Sequence, residues 1–130
     1  KSEEKNTRRL ILVDRFRGLP RLRAVFKTLC AQGSQYQAAQ VGLALLAVED
    51  AVEKPTLLAR VERLLESEVM VALQPWYLAE LAIHLVDSGP AAAREALQRA
   101  LRLADEVGLT EGSEARSRLR VATALLSAGI

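Results

Sequence analysis

Few side chains in this sequence have the chemistry of a catalytic or metal site. The chain contains one histidine, His84, and one cysteine, Cys30. Glu80 precedes His84 by four residues, so on a helix the two would share a face and could form half of a metal site. The sequence offers no second such pair and no Gly-rich phosphate loop. We therefore predict no enzymatic activity, no metal and no cofactor, and we interpret His84 as a structural residue.

The aromatic pair Trp76 and Tyr77 is the next candidate for chemistry. It follows the "QP" at residues 74 and 75, which is typical of a helix start. The two rings could stack on a ligand, or they could pack at the edge of neighbouring helices. The sequence leaves both interpretations open. Cys30 has no partner for an internal disulfide, so we interpret it as a small hydrophobic residue and expect a reducing, cytoplasmic compartment.

The composition predicts an all-α fold. Hydrophobic residues make up 50% of the 130 residues but aromatic residues only 4%, so the core must consist of Leu, Ala and Val. With Arg and Glu as the main charges, this mixture favours helices, and strand formers are scarce. The 3.6-residue periodicity predicts about seven helices, at 7–17, 20–32, 35–51, 55–71, 74–86, 90–107 and 113–127. We expect Gly18 and Gly108 to stop helices, Pro20 to open one and Ser113 to cap the last.

The chain also matches itself after a shift of about 40 residues. The matching columns are Val41, Leu81 and Val121; Gly42, Ala82 and Ala122; Leu45, Leu85 and Leu125; and Leu46, Val86 and Leu126. Tyr36 matches Trp76 in the same register. A small residue in the middle of a helix permits close approach of a neighbouring backbone, and the flanking Leu and Val fill the groove. The sequence therefore predicts repeated helix pairs.

The most regular copy, "LAELAIHLVDSGPAAAREALQRALRLADEVG", resembles a tetratricopeptide (TPR) unit. The residues at the small and apolar positions of that pattern are Leu81, Ala82, Leu85, Ala93, Leu97 and Ala100. The copy over 35–71 departs from it, with Lys54 and Arg60 at expected alanines. The long period and the "RAL.LA...G" ending resemble repeats of MalT-type bacterial transcriptional activators. The resemblance implies an α-solenoid, a right-handed superhelix of antiparallel helix pairs, acting as a protein–protein interaction or regulatory scaffold within a larger bacterial regulator or adaptor.

We predict one helical-repeat domain over residues 1–130. It comprises a basic N-terminal helix pair at 1–33 and TPR-like units at 35–73, 75–112 and 113–130, the last of them partial. Repeats of this kind bind partners on the surface lined by their first helices. The predicted partner-binding groove consists of Tyr36, Ala39, Leu43, Leu46, Trp76, Ala79, Ile83 and Val86.

The residues of this predicted groove are nearly all apolar. Such a groove would accept an apolar helix of a protein or peptide partner, unless the protein's own helices fill it. If it binds a partner, Leu43→Glu should abolish capture and leave the helix content unchanged. The final "ALLSAGI" is a second apolar segment, and it could support a homodimer through the C-terminal helix. We expect no membrane-spanning helix.

Positive charge is concentrated near the start of the chain. The first thirty residues carry nine basic and three acidic side chains. The candidate basic surface consists of Arg8, Arg15, Arg17, Arg21, Arg23 and Lys27. Nucleic-acid binding by these helices is the alternative function, although neither a recognition helix nor an aromatic stacking platform accompanies the charge. Near the other end, Arg116, Arg118 and Arg120 alternate, so we expect them to spread around the last helix in solvent.

Overall fold

The computed structural model describes residues 15–67 and 70–128, which are helical almost throughout. The α-helices in these two ranges are α1 (Arg15–Gln32), α2 (Gln35–Leu46), α3 (Lys54–Ser67), α4 (Gln74–Leu85), α5 (Pro90–Val107) and α6 (Glu114–Ala128). The ranges contain no strand, so the predicted all-α class is confirmed. None of the described helices is long and apolar enough to cross a membrane.

The chain divides into two compact units, Lys1–Val69 and Met70–Ile130. In the first unit α2 packs against both α1 and α3. In the second unit each of α4, α5 and α6 packs against the other two, and the short 3-10 turn Val71–Leu73 lies against α4 and α5. Each unit therefore builds its core from three described helices.

The predicted break between 17 and 20 is wrong, because α1 runs through both Gly18 and Pro20. Pro20 is the sixth residue of α1, so it removes one backbone hydrogen bond near the start of the helix. Leu22, Phe26 and Leu29 are buried on one side of α1, and their burial compensates for that loss. The remainder of the helix predicted over 7–17 lies outside the described residues.

The predicted end of the third helix, at residue 51, is also wrong, because α2 stops at Leu46. Side chains in the following turn bond to nearby backbone groups. The Asp50 amide donates to Glu49 Oε1 at 3.0 Å, and the Glu53 amide donates to Asp50 Oδ1 at 3.0 Å. Such local bonds compete with helical ones and favour a turn. The helix predicted over 55–71 is described as α3 as far as Ser67, and a separate 3-10 turn begins at Val71.

Two helices end in the same way. Gly33 after α1 and Gly108 after α5 adopt left-handed conformations, with φ of 74° and 69°. The amide of the following residue then bonds back into the helix, from Ser34 to the Leu29 carbonyl and from Leu109 to the Ala104 carbonyl, both at 3.1 Å. The predicted stop at Gly108 is confirmed.

The predicted cap at Ser113 is confirmed as well. Its Oγ accepts a hydrogen bond from the Arg116 amide at 3.2 Å at the start of α6. This bond satisfies one of the first backbone amides of the helix, which have no partner within it.

Helices lie close together at the small residue of the repeat in the first unit. A Cβ atom at Gly42 of α2 would lie 2.8 Å from Phe26 Cε1 of α1 and 2.8 Å from Val61 Cγ2 of α3. In the second unit, Ala82 of α4 and Ala122 of α6 are fully buried at the matching positions. The three helices that begin at 35, 74 and 114 therefore each bury a small residue near their middle.

We expect Gly42→Ala to destabilise the first unit by about 1–2 kcal/mol. The new methyl group overpacks against two side chains, and this cost exceeds the gain in helix propensity of about 1 kcal/mol. Urea unfolding followed by circular dichroism measures the change. Gly112→Ala is the control, because a Cβ atom there meets nothing within 4 Å. A Gly42→Ala protein more stable than the native one would contradict the close contact.

Candidate functional site

The residues of the predicted groove differ widely in accessibility. Four of them, Ala39, Leu43, Leu46 and Ala79, are buried, with exposed fractions of 0 to 1%. Three others, Trp76, Ile83 and Val86, are half-buried, whereas Tyr36 is 48% exposed. Four of the predicted contacts are thus core residues of their own units. They offer no accessible surface to a partner in the folded protein.

The second unit contains a buried carboxylate, Glu80, whose side chain is only 2% exposed. Arg118 of α6 donates to it twice, from Nε to Oε2 at 2.6 Å and from Nη2 to Oε1 at 2.9 Å. Trp76 Nε1, one turn earlier on α4, donates to Oε2 at 3.1 Å. Bidentate, charge-assisted bonds of this kind fix the orientation of both side chains. Trp76 therefore has a structural partner within its own helix.

The environment of Arg118 keeps it charged. Burial disfavours the charged form of Arg118. The hydrogen bond to Glu80 and the negative charges of Glu80 and Glu114 outweigh the effect of burial, so the pKa of Arg118 is raised. The expectation that Arg118 is solvated is wrong, since its side chain is 20% exposed. Arg116 also departs from that expectation, because it is 17% exposed and donates to the Leu109 carbonyl.

Sequence reasoning missed this group because Glu80 and Arg118 lie 38 residues apart on different helices. It considered Glu80 only with His84, four residues away. In the structure His84 is half-buried in the last turn of α4. Within the described ranges no three His, Cys, Asp or Glu side chains are grouped so as to hold a metal ion.

The first unit has a comparable pair. Glu49, whose side chain is 4% exposed, accepts hydrogen bonds from Arg23 Nε at 3.0 Å and from Arg23 Nη2. Arg23 Nη2 also lies 3.5 Å from Asp50 Oδ2. The hydrogen bond to Glu49 is the main reason that the pKa of Arg23 is raised. The pair joins α1 to the turn that follows α2.

An open pocket of about 470 Å³ lies beside this pair. Its walls are Arg23, Phe26 and Lys27 of α1 and Thr56, Leu57 and Arg60 of α3, together with Leu45, Glu49 and Glu53. The Arg60 guanidinium lies 5.0 Å from the centre of the Phe26 ring, a cation–π arrangement. Phe26 and Leu45 are 3% and 2% exposed, and the pocket wall combines charged groups with apolar surface.

The predicted basic surface is only partly described. Arg8 lies outside the described residues, and the side chains of Arg15 and Arg17 are not described. Arg21, Arg23 and Lys27 are exposed on α1. Arg21 and Arg23 point to different sides of the helix, since two residues span about 200°, and Arg23 is engaged by carboxylates. Nucleic-acid binding by this region stays a prediction.

Among the described residues of the second unit, the exposed large apolar side chains are Val71, Leu101, Val121 and Leu125, and the last two share α6. Val121 and Leu125 are 38% and 40% exposed, whereas Val41 and Leu45 at the matching positions of α2 are 4% and 2% exposed. Ala124 and Ala128 are exposed on the same side of α6. We call Val121, Ala124, Leu125 and Ala128 the α6 strip. Exposed apolar residues grouped on one helix face often mark an interaction site.

Because Leu43 is fully buried, we expect Leu43→Glu to unfold the first unit. A carboxylate in an apolar core without a partner is strongly unfavourable. The far-ultraviolet circular dichroism signal should fall. Gln37→Glu, at an exposed position of the same helix, should leave it unchanged. Native helicity in the Leu43→Glu protein would instead show that Leu43 is accessible, as expected for a groove residue.

We expect Arg118→Met to destabilise the second unit by about 3 kcal/mol, because it leaves the Glu80 charge buried and unpaired. The double change Glu80→Met with Arg118→Met should recover part of this loss. Denaturation followed by the fluorescence of Trp76, the only tryptophan, measures both. Arg120→Met, which breaks an ion pair exposed by 60% and 86%, should change stability by less than about 0.5 kcal/mol. Equal effects of Arg118→Met and Arg120→Met would contradict the assignment.

The described residues thus contain two guanidinium–carboxylate pairs whose carboxylate is buried, an open pocket and an exposed apolar strip. The two pairs and part of the pocket wall use side chains that already bind one another, and the strip is the surface best suited to bind something else. No family model, no curated protein and no solved structure matches the chain with significance.

Proposed function

We propose that the chain is a non-enzymatic protein–protein interaction module, a TPR-like helical repeat within a larger cytoplasmic bacterial regulator or adaptor. The observation that carries the proposal is the α6 strip. Val121 and Leu125 are exposed at positions that are buried in α2, the matching helix of the first unit. A surface built to pack against a helix is thereby left accessible.

The spacing of the helices supports the repeat on which this proposal rests. The first helices of the proposed pairs, α2, α4 and α6, begin at Gln35, Gln74 and Glu114, close to the 40-residue period of the sequence. Their small residues Gly42, Ala82 and Ala122 are buried at matching places. We propose that the pairs form a right-handed superhelix, as the resemblance to TPR units implies.

The proposed mechanism differs from binding in the groove expected from the sequence. Leu43 and Leu46 are buried core residues, and Ile83 and Val86 are half-buried, so they offer less surface than the α6 strip. Affinity would come from burial of Val121 and Leu125 by a partner. Burying such a side chain fully contributes about 1.5–3 kcal/mol.

Site-specific photocrosslinking in the source cell tests the proposal. A photoreactive amino acid at Leu125 should form one discrete crosslinked product, identified by mass spectrometry, because a partner covers the strip. The same amino acid at Val52 is the control, since Val52 is 84% exposed and lies in the turn before α3. Identical products at both positions, or none at Leu125, would remove the proposal.

A further inference from the structure

We infer that the open pocket of the first unit binds a free acidic amino acid, aspartate or glutamate. Three charged side chains of its wall hold the ligand, Lys27 and Arg60 through the two carboxylates and Glu53 through the ammonium group. Every residue of the wall belongs to the first unit. The inference goes beyond the proposed function, which concerns the α6 strip, and does not depend on it.

The charged side chains of the pocket wall fall into two groups. Arg23 and Glu49 satisfy each other through two hydrogen bonds. In contrast, Lys27, Arg60 and Glu53 have no ion pair or side-chain hydrogen bond to a described residue. Glu53 acts on Arg23 through its charge alone. The second group therefore presents two positive charges and one negative charge to a molecule that enters the pocket.

The second group faces the pocket from two helices. Lys27 follows Arg23 by one turn of α1, and Arg60 follows Thr56 by one turn of α3, and all four line the pocket. Glu53, directly before α3, precedes Arg60 by about two turns, which correspond to about 10 Å along the helix axis. Opposite charges are thus present in one pocket without being joined to each other, and a small ligand can lie between them.

The contact between Arg60 and Phe26 prepares the guanidinium for a carboxylate. The guanidinium lies 5.0 Å from the centre of the ring, and the cation–π attraction holds it in the wall. Its N–H groups form a planar fork that matches the two oxygens of a carboxylate, and none of them has an acceptor among the described residues. The Thr56 hydroxyl, one turn earlier in the same wall, is a further donor.

The balance of charge selects the class of ligand. An acidic amino acid carries two carboxylates and one ammonium group, which complement the charges of Lys27, Arg60 and Glu53. A neutral amino acid would leave one of the cations unmatched. Phosphate, or a dicarboxylic acid without an ammonium group, would bring negative charge to Glu53 and offer it no donor. The volume of about 470 Å³ lies within the range of small-molecule sites.

Isothermal titration calorimetry of the whole chain with L-glutamate and L-aspartate tests the inference. We expect saturable binding of one ligand per chain. Glutarate lacks the ammonium group and glutamine lacks the second carboxylate, so each loses a charge-assisted hydrogen bond and should bind at least about tenfold more weakly. Inorganic phosphate is the probe for unselective attraction by the cations, and it should also bind more weakly than glutamate.

Protein variants locate the ligand in the pocket. Arg60→Gln should weaken glutamate binding by about tenfold or more, and Glu53→Gln should abolish the preference for glutamate over glutarate. Arg63→Gln and Glu62→Gln remove the same charges at exposed positions of α3 outside the pocket wall, so they are the matched controls and should bind like the native chain. All four positions are exposed, so the circular dichroism signal should stay native in each variant.

Several results would overturn the inference. They are the absence of saturable binding by both acidic amino acids, glutamate binding that survives Arg60→Gln, and a preference for glutamate over glutarate that survives Glu53→Gln. Binding of glutarate, glutamine or phosphate as tight as that of glutamate would also reject it, because the pocket would then not distinguish the three charges of the ligand.

Discussion

Close approach of helices at small residues is the constraint on which both cores depend. Around Gly42 the constraint is strictest, because Phe26 and Val61 occupy the space that a Cβ atom would need. At Ala82 and Ala122 a methyl group fits and is fully buried. A core with few aromatic residues can be dense only if its helices lie close together, since Leu, Ala and Val do not span a wide gap.

Small residues allow helices to approach one another but do not fix the rotation of each helix about its axis. The buried ion pairs fix this rotation. Arg23 with Glu49 fixes α1 against the turn after α2, and Arg118 with Glu80 fixes α6 against α4. Such pairs contribute little net stability because desolvation offsets their attraction, but a wrong rotation would leave a charge buried alone. With Arg118 directed at Glu80, α6 turns Leu119 and Ala122 inward and leaves Leu125 outside.

Local signals in the sequence were sufficient for the helical class and insufficient for the site. Periodicity and composition predict the all-α class, and the range 90–107 agrees with α5. The break near Pro20 failed because burial of Leu22 and Phe26 outweighs one lost hydrogen bond. Four of the predicted groove residues are buried, because periodicity identifies an apolar face without saying whether another helix covers it. The Glu80–Arg118 pair joins distant positions through tertiary packing, and no spacing rule reveals it.

The glycine ends of α1 and α5 are constrained in a different way from Gly42. Gly33 and Gly108 adopt left-handed conformations, with φ of 74° and 69°, and a Cβ atom at either position would meet nothing within 4 Å. Replacing either one would therefore strain the backbone without any clash, because residues with a Cβ atom rarely adopt a left-handed conformation. At Gly42 the reverse holds, because the backbone is helical and the neighbouring side chains occupy the space. One residue type thus meets two separate demands in this fold, a backbone conformation at the helix ends and empty space in the core.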